Sequence, residues 1–245
     1  MLTSFAGARL FGESHGAGVP WVLALHGWRR DHRDFDAVLA GPGIDAVALD
    51  LPGFGATPPP EVAWGSCEYA DAVSPVLDEM ADRVVVVGHS FGGRVAVHLA
   101  VAHPDRISGL VLTGVPLYRP SDRPRRPRLH YRIVRRLAKS GLVSDDRLEA
   151  MRQRYGSADY RAASGVMRDV LVRVLAEDYS PAISRLTCPV ELVWGDDDSA
   201  APLCVAERVR DEIPGAHLVV CAGAGHLTPL TVPGELRSAL ERLRS

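Results

Sequence analysis

Ser90 lies in the pentapeptide Gly88-His89-Ser90-Phe91-Gly92, which follows the apolar run Val84–Val87 and precedes a predicted helix. A turn this tight strains the backbone at the serine, and glycine is needed on both sides because a larger side chain would collide with the opposing chain. Such a turn holds the hydroxyl clear of the sheet and leaves the Phe91 N–H at a helix start, free to donate to an oxyanion. The motif predicts a nucleophile at Ser90; the alternative is a glycine-rich turn with a bystander serine.

A serine hydroxyl is a weak nucleophile unless a base takes its proton, and the base needs an acid that orients it. In strand–turn–helix sites of this kind the chain order is serine, acid, histidine. His226 ends the loop Gly223-Ala224-Gly225-His226, beyond the last predicted strand, and is the predicted base. The other histidines after Ser90 lie in a predicted helix, a segment between strands or a strand: His98, His103, His130 and His217.

The acid is expected in the loop after the preceding strand, where Gly195 is followed by Asp196, Asp197 and Asp198. Three adjacent carboxylates leave its identity open on the residues alone. Those that are not used in catalysis would solvate the loop or cap the next helix.

The elements that must position these groups alternate between apolar runs and longer mixed segments. Continuous apolar runs predict strands buried on both faces of a parallel sheet, and strands that alternate with helices predict βαβ units. The predicted strands are Trp21–Leu25, Ala46–Leu49, Val84–Val87, Leu110–Leu112, Val190–Trp194 and His217–Val220. The predicted helices are Asp31–Ala40, Cys67–Ala81, Arg94–Ala102, Cys204–Glu212 and Gly234–Leu243, and Thr3–Glu13 is expected to form one or two edge strands.

The alternation stops between Val115 and about Arg185, which predicts an inserted helical segment. An insertion between two sheet strands lies at their carboxyl ends, where open α/β sheets bind ligands. We therefore expect an α/β core at residues 1–115 and 186–245 and a cap at 116–185. Helices are expected where Leu129, Ile133 and Leu137 share one face, at Ser144–Arg154 and at Tyr160–Glu177.

The composition excludes several classes of protein. The chain has 245 residues, 47% of them hydrophobic and 24% charged, with a formal net charge of −2, as in an ordinary folded domain. Neither an apolar run of about 18 residues nor a secretory leader is evident, so we expect a cytoplasmic protein without a transmembrane segment. The four scattered cysteines (Cys67, Cys188, Cys204 and Cys221) are expected to be buried and reduced.

The charge is unevenly spread along the chain. Val115–Tyr155 contains 12 basic and 4 acidic residues, a net charge of +8, and the rest of the chain contains 16 basic and 26 acidic residues, a net charge of −10. Arginine pairs well with carboxylates and phosphates, so Arg125, Arg126 and Arg128 are candidate contacts for an anionic substrate or an acidic carrier protein. The alternative is a solvated surface on which arginine covers apolar area. Nucleic acid is not expected, because the basic run lacks interleaved aromatic residues.

The chain resembles the α/β-hydrolase fold family, in particular its lidded single-domain serine esterases. The similar segments run from about Trp21 to Leu243: His26-Gly27-Trp28, Asp50–Gly55, Gly88–Gly93, Gly195–Pro202 and Gly225-His226. This resemblance implies a mostly parallel central sheet with flanking helices and a helical cap inserted after the sixth strand. It also selects Asp198 as the acid and adds the Trp28 backbone N–H as a second oxyanion donor, with the Trp28 side chain as a wall of the substrate site.

The resemblance implies attack of Ser90 on an activated carbonyl, with no metal or cofactor. A small-molecule carboxylic ester is the expected substrate. Thioesters of CoA or of a carrier, a carbon–carbon bond hydrolase, a perhydrolase and a non-catalytic ligand-binding protein remain alternatives. Serine at position 90 disfavours dehalogenase and epoxide hydrolase chemistry, which uses aspartate there. His26-Gly27-Trp28 also differs from the longer glycine-rich run of the carbon–carbon bond hydrolases. Neither motifs nor composition specify an oligomeric state.

Overall fold

A computed structural model of the chain describes residues 1–118 and 158–244. They contain an eight-stranded sheet in the order β1-β2-β4-β3-β5-β6-β7-β8. The strands are β1 (Leu2–Phe5), β2 (Leu10–His15), β3 (Val22–Leu25), β4 (Ala46–Asp50), β5 (Val84–His89), β6 (Ile107–Thr113), β7 (Val190–Gly195) and β8 (His217–Cys221). The helices, numbered along the described residues, are α1 (Asp36–Leu39), α2 (Ser66–Val73), α3 (Phe91–Ala102), α4 (Ala158–Ala162), α5 (Gly165–Ala176), α6 (Ser180–Ile183), α7 (Leu203–Glu212), α8 (Thr228–Thr231) and α9 (Pro233–Leu243).

All six predicted sheet strands are confirmed, and β3 to β8 run parallel to one another. The central strands are buried along their whole length, as their continuous apolar runs predict. β8 is an exception because it forms the edge of the sheet: Val220 is 47% exposed, so burial on both faces was the wrong expectation there. The predicted edge strands at Thr3–Glu13 are β1 and β2, which pair antiparallel and join the sheet beside β4.

The two faces of the sheet bury separate hydrophobic clusters because successive strand residues point to opposite sides. In β3, Leu23 and Leu25 pack on the face covered by α2, α3 and α7, while Val22 and Ala24 pack on the face covered by α1 and α9. This three-layer arrangement fixes the carboxyl ends of β3, β5, β6, β7 and β8 along one edge of the sheet. The loops that leave those ends carry the candidate site.

The predicted helix Asp31–Ala40 begins as a 3₁₀ helix (His32–Phe35) and continues as α1, and the predicted helix Cys67–Ala81 becomes α2 followed by a 3₁₀ helix (Ser74–Glu79). The second change of geometry coincides with Pro75, which lacks the N–H that an α-helix would use. α3 begins three residues earlier than predicted, directly after Ser90.

The described part of the insertion after β6 contains three helices, α4, α5 and α6, joined by non-helical residues. The expected single helix Tyr160–Glu177 is wrong: the chain leaves helical geometry at Ala163 and Ser164, and α5 restarts at Gly165 with φ +51°. The buried Arg94 of α3 ties both stems of the insertion to the core, because its guanidinium donates to the carbonyls of Pro116 (2.8 Å) and Val174 (3.2 Å). The helices expected around Leu129–Leu137 and at Ser144–Arg154 lie outside the described residues.

All four cysteines are unpaired, but only Cys221 is buried as expected: Cys188 is partly exposed, and Cys67 and Cys204 are exposed. Cys67 and Cys204 each lie in the first turn of a surface helix, so the apolar character of the thiol was a poor guide to its burial. No helix within residues 1–118 and 158–244 is long and apolar enough to cross a membrane.

Candidate active site

Ser90 sits at the sharp turn between β5 and α3 in a strained conformation, with φ +51° and ψ −109°. The strain predicted from the sequence is therefore present. The flanking glycines are required by close packing: a Cβ on Gly92 would lie 2.1 Å from the Leu25 carbonyl oxygen, and one on Gly88 would lie 2.5 Å from the Cα of Gly93. Strain of this kind persists only where the surrounding structure enforces it, and it presents the Ser90 hydroxyl above the sheet edge.

The structure brings Ser90, His226 and Asp198 into one hydrogen-bonded chain. His226 Nδ1 lies 2.8 Å from Asp198 Oδ2, and His226 Nε2 lies 3.1 Å from Ser90 Oγ. Because a carboxylate only accepts hydrogen bonds, the His226 proton resides on Nδ1, which leaves the Nε2 lone pair facing the Ser90 hydroxyl. This is the geometry needed for a base that removes a proton from a nucleophile.

Asp198 is distinguished from its two neighbours by burial. Its side chain is inaccessible to solvent, whereas Asp196 and Asp197 are exposed. Burial alone raises the pKa of Asp198, but the hydrogen bond from His226 and those from the N–H groups of Ala201 and Ala200 outweigh it and hold the pKa below its ordinary value. The carboxylate is therefore ionised at neutral pH and able to stabilise an imidazolium at His226.

Two backbone N–H groups at the turn between β5 and α3 and in the loop packed on it have no protein acceptor among residues 1–118 and 158–244: those of Phe91 and Trp28. Phe91 is the first residue of α3, where an N–H has no partner within the helix. The Trp28 loop is held against this turn by the Gly92 N–H, which donates to the His26 carbonyl at 3.0 Å. The two predicted oxyanion donors thus come from adjoining loops, after β3 and at the end of β5.

An aromatic cluster packs around the Trp28 loop. The Trp28 ring meets Phe54 and Phe91 edge to face, with centroids 4.9 Å and 5.4 Å apart, and Tyr69 packs on Phe91 from the other side. His26 is fully buried and bridges two backbones: its Nδ1–H donates to the Gly27 carbonyl, and its Nε2 accepts from the Leu51 N–H. These contacts brace the loop that carries Trp28.

Two residues that the sequence did not single out also touch the Ser90–His226–Asp198 chain. His89 Nε2 lies 2.8 Å from the His226 carbonyl oxygen, and Gly114 follows β6 directly beside the His226 ring. The only sequence signals are a histidine in an unconstrained motif position and a glycine after a strand. The tentative substrate contacts Arg125, Arg126 and Arg128 lie outside the described residues.

Gly114 leaves little room beside the bond between His226 and Asp198. It has φ +57°, and a Cβ would lie 3.1 Å from His226 Nδ1 and 3.2 Å from Asp198 Oδ2. We expect Gly114→Ala to lower kcat about tenfold, since a displacement of a few tenths of an ångström degrades the alignment of the base. Steady-state kinetics and thermal unfolding would be measured together with Gly215→Ala, which has the same left-handed backbone (φ +78°) but nothing within 4 Å. An equal loss of kcat in both variants would contradict a local effect on the His226 ring.

The model of the alpha/beta hydrolase family matches residues 22–239, which is most of the chain. The chain belongs to this family. This alpha/beta hydrolase is 28% identical to the 2-hydroxy-6-oxononadienedioate/2-hydroxy-6-oxononatrienedioate hydrolase of Cupriavidus pinatubonensis, over 89% of this chain and 84% of that protein. It is also 28% identical to the pimeloyl-[acyl-carrier protein] methyl ester esterase of Aromatoleum aromaticum, over 91% of this chain and 97% of that protein.

Solved structures show the same fold. A thermophilic esterase from Thermogutta terrifontis superposes on this alpha/beta hydrolase with a TM-score of 0.72 and 22% identity, over the whole of both chains. The expected fold class, a mostly parallel α/β sheet with flanking helices and an insertion after β6, is thus confirmed, and the protein is a hydrolase.

Proposed function

We propose that this hydrolase cleaves a carboxylic ester through an acyl-enzyme. The observation that carries the proposal is the unbroken hydrogen-bonded chain from Asp198 through His226 to Ser90. The N–H groups of Trp28 and Phe91, in the adjoining loops, have no acceptor within the described part of the chain and support it. Charge development on a carbonyl oxygen during attack is stabilised by such fixed donors, which typically contribute about 3 kcal/mol each to the transition state.

In this mechanism His226 takes the Ser90 proton as Oγ attacks the ester carbonyl. The oxyanion is held by the N–H groups of Trp28 and Phe91. The imidazolium at His226, stabilised by Asp198, then protonates the departing alkoxide as the carbon–oxygen bond breaks. Water, activated by the same histidine, attacks the acyl-enzyme, releases the acid and restores the Ser90 hydroxyl.

We further propose that the core comprises residues 1–115 and 186–245 and that residues 116–185 form the cap. The contacts of Arg94 with both stems, and the packing of Met167 of α5 against Gly53 after β4, support this division. Unpaired thiols at all four cysteines agree with a reducing, cytoplasmic location.

A thioesterase acting on CoA or carrier-bound acyl groups is the second candidate within the same chemistry. It is favoured by the +8 charge of Val115–Tyr155. The relative named as a methyl ester esterase acting on an acyl-carrier protein supports a carrier-bound substrate, but its name specifies an oxygen ester. We propose that an anionic substrate or an acidic carrier is recruited by the basic segment that contains Arg125, Arg126 and Arg128. Dissolved salt screens the attraction between surface charges and a charged ligand, so such recruitment weakens as ionic strength rises.

Hydrolysis of a carbon–carbon bond next to a ketone is a further candidate, because several curated relatives at 24–29% identity carry the name of a 2-hydroxy-6-oxononadienedioate hydrolase. That name denotes a dicarboxylate, which is again an anionic substrate. The short segment His26-Gly27-Trp28 argues against it, since Trp28 occupies the loop where those enzymes are expected to have a longer glycine-rich run.

A substrate panel at two ionic strengths decides between these candidates. Short p-nitrophenyl esters, acyl-CoA thioesters and a 2-hydroxy-6-oxodienoate would be compared at about 20 mM and 300 mM salt. We expect the uncharged esters to be hydrolysed with a KM that does not depend on salt. A KM for acyl-CoA that rises several-fold with salt, and loses that dependence when Arg125, Arg126 and Arg128 are changed to glutamine, would favour the thioesterase. Turnover of none of the three classes would contradict the proposal and favour a non-catalytic binding protein.

A further inference from the structure

His89 lies between Gly88 and the Ser90 nucleophile, at a position that the pentapeptide motif leaves open to any residue. Its side chain is buried at the end of β5, and its Nε2 lies 2.8 Å from the carbonyl oxygen of His226. A carbonyl oxygen only accepts, so Nε2 carries the proton and donates it. The ring of His89 is also 4.9 Å from the ring of His226, centroid to centroid.

We propose that His89 is a positioning residue that fixes the backbone of the His226 base relative to the Ser90 nucleophile, an inference that rests on the proposed function. Asp198 controls only the rotation of the His226 imidazole, through its Nδ1. The position of that ring depends on the main chain of its loop. Among the described residues, His89 is the one that donates a hydrogen bond to the His226 carbonyl.

The neighbouring loop bonds support this division of roles. Backbone contacts join Ala224 to Asp197 (3.1 Å) and Gly223 to the Asp196 carboxylate (2.7 Å), so they secure the start of the loop to the end of β7. His89 secures the end of the loop to β5, one residue before Ser90. The His89 side chain thereby links the backbone next to Ser90 with the backbone of His226. The distance between Ser90 Oγ and His226 Nε2 therefore does not depend on the edge strand β8 alone.

The neutral form of His89 suits this role. Burial, reinforced by the neighbouring His226 ring, lowers the pKa of His89 to about 4, so the ring is uncharged at neutral pH. Its Nδ1 faces Gly27, where a Cβ would lie 2.8 Å away, and none of the described residues forms a hydrogen bond with it. A proton on Nδ1 would lack an acceptor there and would place a cation beside His226, opposing the imidazolium that catalysis requires.

Three substitutions separate the hydrogen bond from simple packing. Glutamine carries its amide nitrogen the same number of bonds from Cβ as Nε2 of histidine, whereas asparagine is one bond shorter and leucine has no donor. We expect His89→Asn and His89→Leu to lower kcat for a p-nitrophenyl ester about 30-fold with KM within twofold. His89→Gln should stay within about threefold of the unsubstituted protein, because an alignment defect affects the chemical step more than substrate binding.

A spectroscopic readout makes the test independent of turnover. The Nδ1–H of His226 gives a low-field proton resonance when it is held against Asp198, and we expect it to broaden or vanish in the asparagine and leucine variants and to persist in His89→Gln. His98→Leu is the matched control. His98 lies on α3 with its ring 5.7 Å from the ring of Tyr179, and burial lowers its pKa as it does that of His89. We expect this substitution to leave both kcat and the resonance unchanged.

Wild-type kcat and an intact resonance in His89→Asn would overturn the proposal. Equal losses in all three His89 variants would do the same, since they would show a packing role without a requirement for the donor. If the leucine variant does not fold, the asparagine and glutamine pair carries the test. Absence of esterase activity in the unsubstituted protein would refute the proposed function, and the resonance would still report whether His89 holds His226.

Discussion

Ser90→Ala is expected to reduce ester turnover by about five to six orders of magnitude while leaving the fold intact. The alanine lacks the oxygen that forms the acyl-enzyme, and loss of the nucleophile in a serine hydrolase removes nearly all of the rate that the catalytic residues supply together. Alanine tolerates the strained backbone at φ +51° no worse than serine, so the unfolding temperature should change little.

The measurement combines steady-state turnover with covalent labelling by a fluorophosphonate and peptide mapping. Ser74→Ala is the control, because the Ser74 hydroxyl donates to the Asp71 carbonyl at the end of α2 and takes no part in the chain from Ser90 to Asp198. Label found on Ser90 in the unsubstituted protein and absent from Ser90→Ala supports the assignment. Labelling or turnover that persists in Ser90→Ala would contradict the assignment of Ser90 as the nucleophile.

Asp198→Asn is expected to lower kcat about 10³- to 10⁴-fold, with Asp196→Asn and Asp197→Asn within about threefold of the unsubstituted protein. The physical reason is the tautomer of His226. Asp198 Oδ1 accepts from the N–H groups of Ala200 and Ala201, so an asparagine keeps its oxygen there and turns its NH₂ toward His226. Nδ1 must then accept, the proton moves to Nε2, and the ring can no longer receive the proton of Ser90.

The three asparagine variants form a matched set because each removes one carboxylate from the same loop. They would be compared by kcat/KM for one ester across pH 5 to 9, together with their unfolding temperatures. A loss in Asp197→Asn that equals the loss in Asp198→Asn would contradict the assignment. So would a stable Asp198→Asn protein with undiminished kcat.

The sheet and the serine turn could be predicted from the sequence because their signals are local. Four successive valines, a glycine on each side of Ser90 and a following helix are all contained in about 20 residues. Continuous apolar runs, which are also local signals, predict the other strands. The prediction of burial failed at β8, because whether a strand lies at the edge of a sheet depends on partners elsewhere in the chain. The prediction of one helix failed at Ser164, whose extended backbone separates α4 from α5.

The choice among three aspartates could not be made from local signals. Resemblance to a family selects Asp198, and its bond to His226 joins residues that are 28 positions apart in sequence, in the loops after β7 and β8. His89 and Gly114 were missed for the same reason: each acts on His226 across more than 100 residues of chain. Sequence reasoning finds residues of the right chemistry, but their contacts depend on how distant strands align.

The edge position of β8 has a consequence for how this hydrolase loses activity. Among the described strands β8 pairs only with β7, and His226, the proposed base, follows it by five residues. Strands with a single neighbour open locally at lower free energy than strands in the interior of a sheet. Heat or denaturant would therefore release β8 while β3 to β6 remain paired, and the bond from His89 would then have to hold the His226 loop without it. We expect activity to decline before the sheet unfolds.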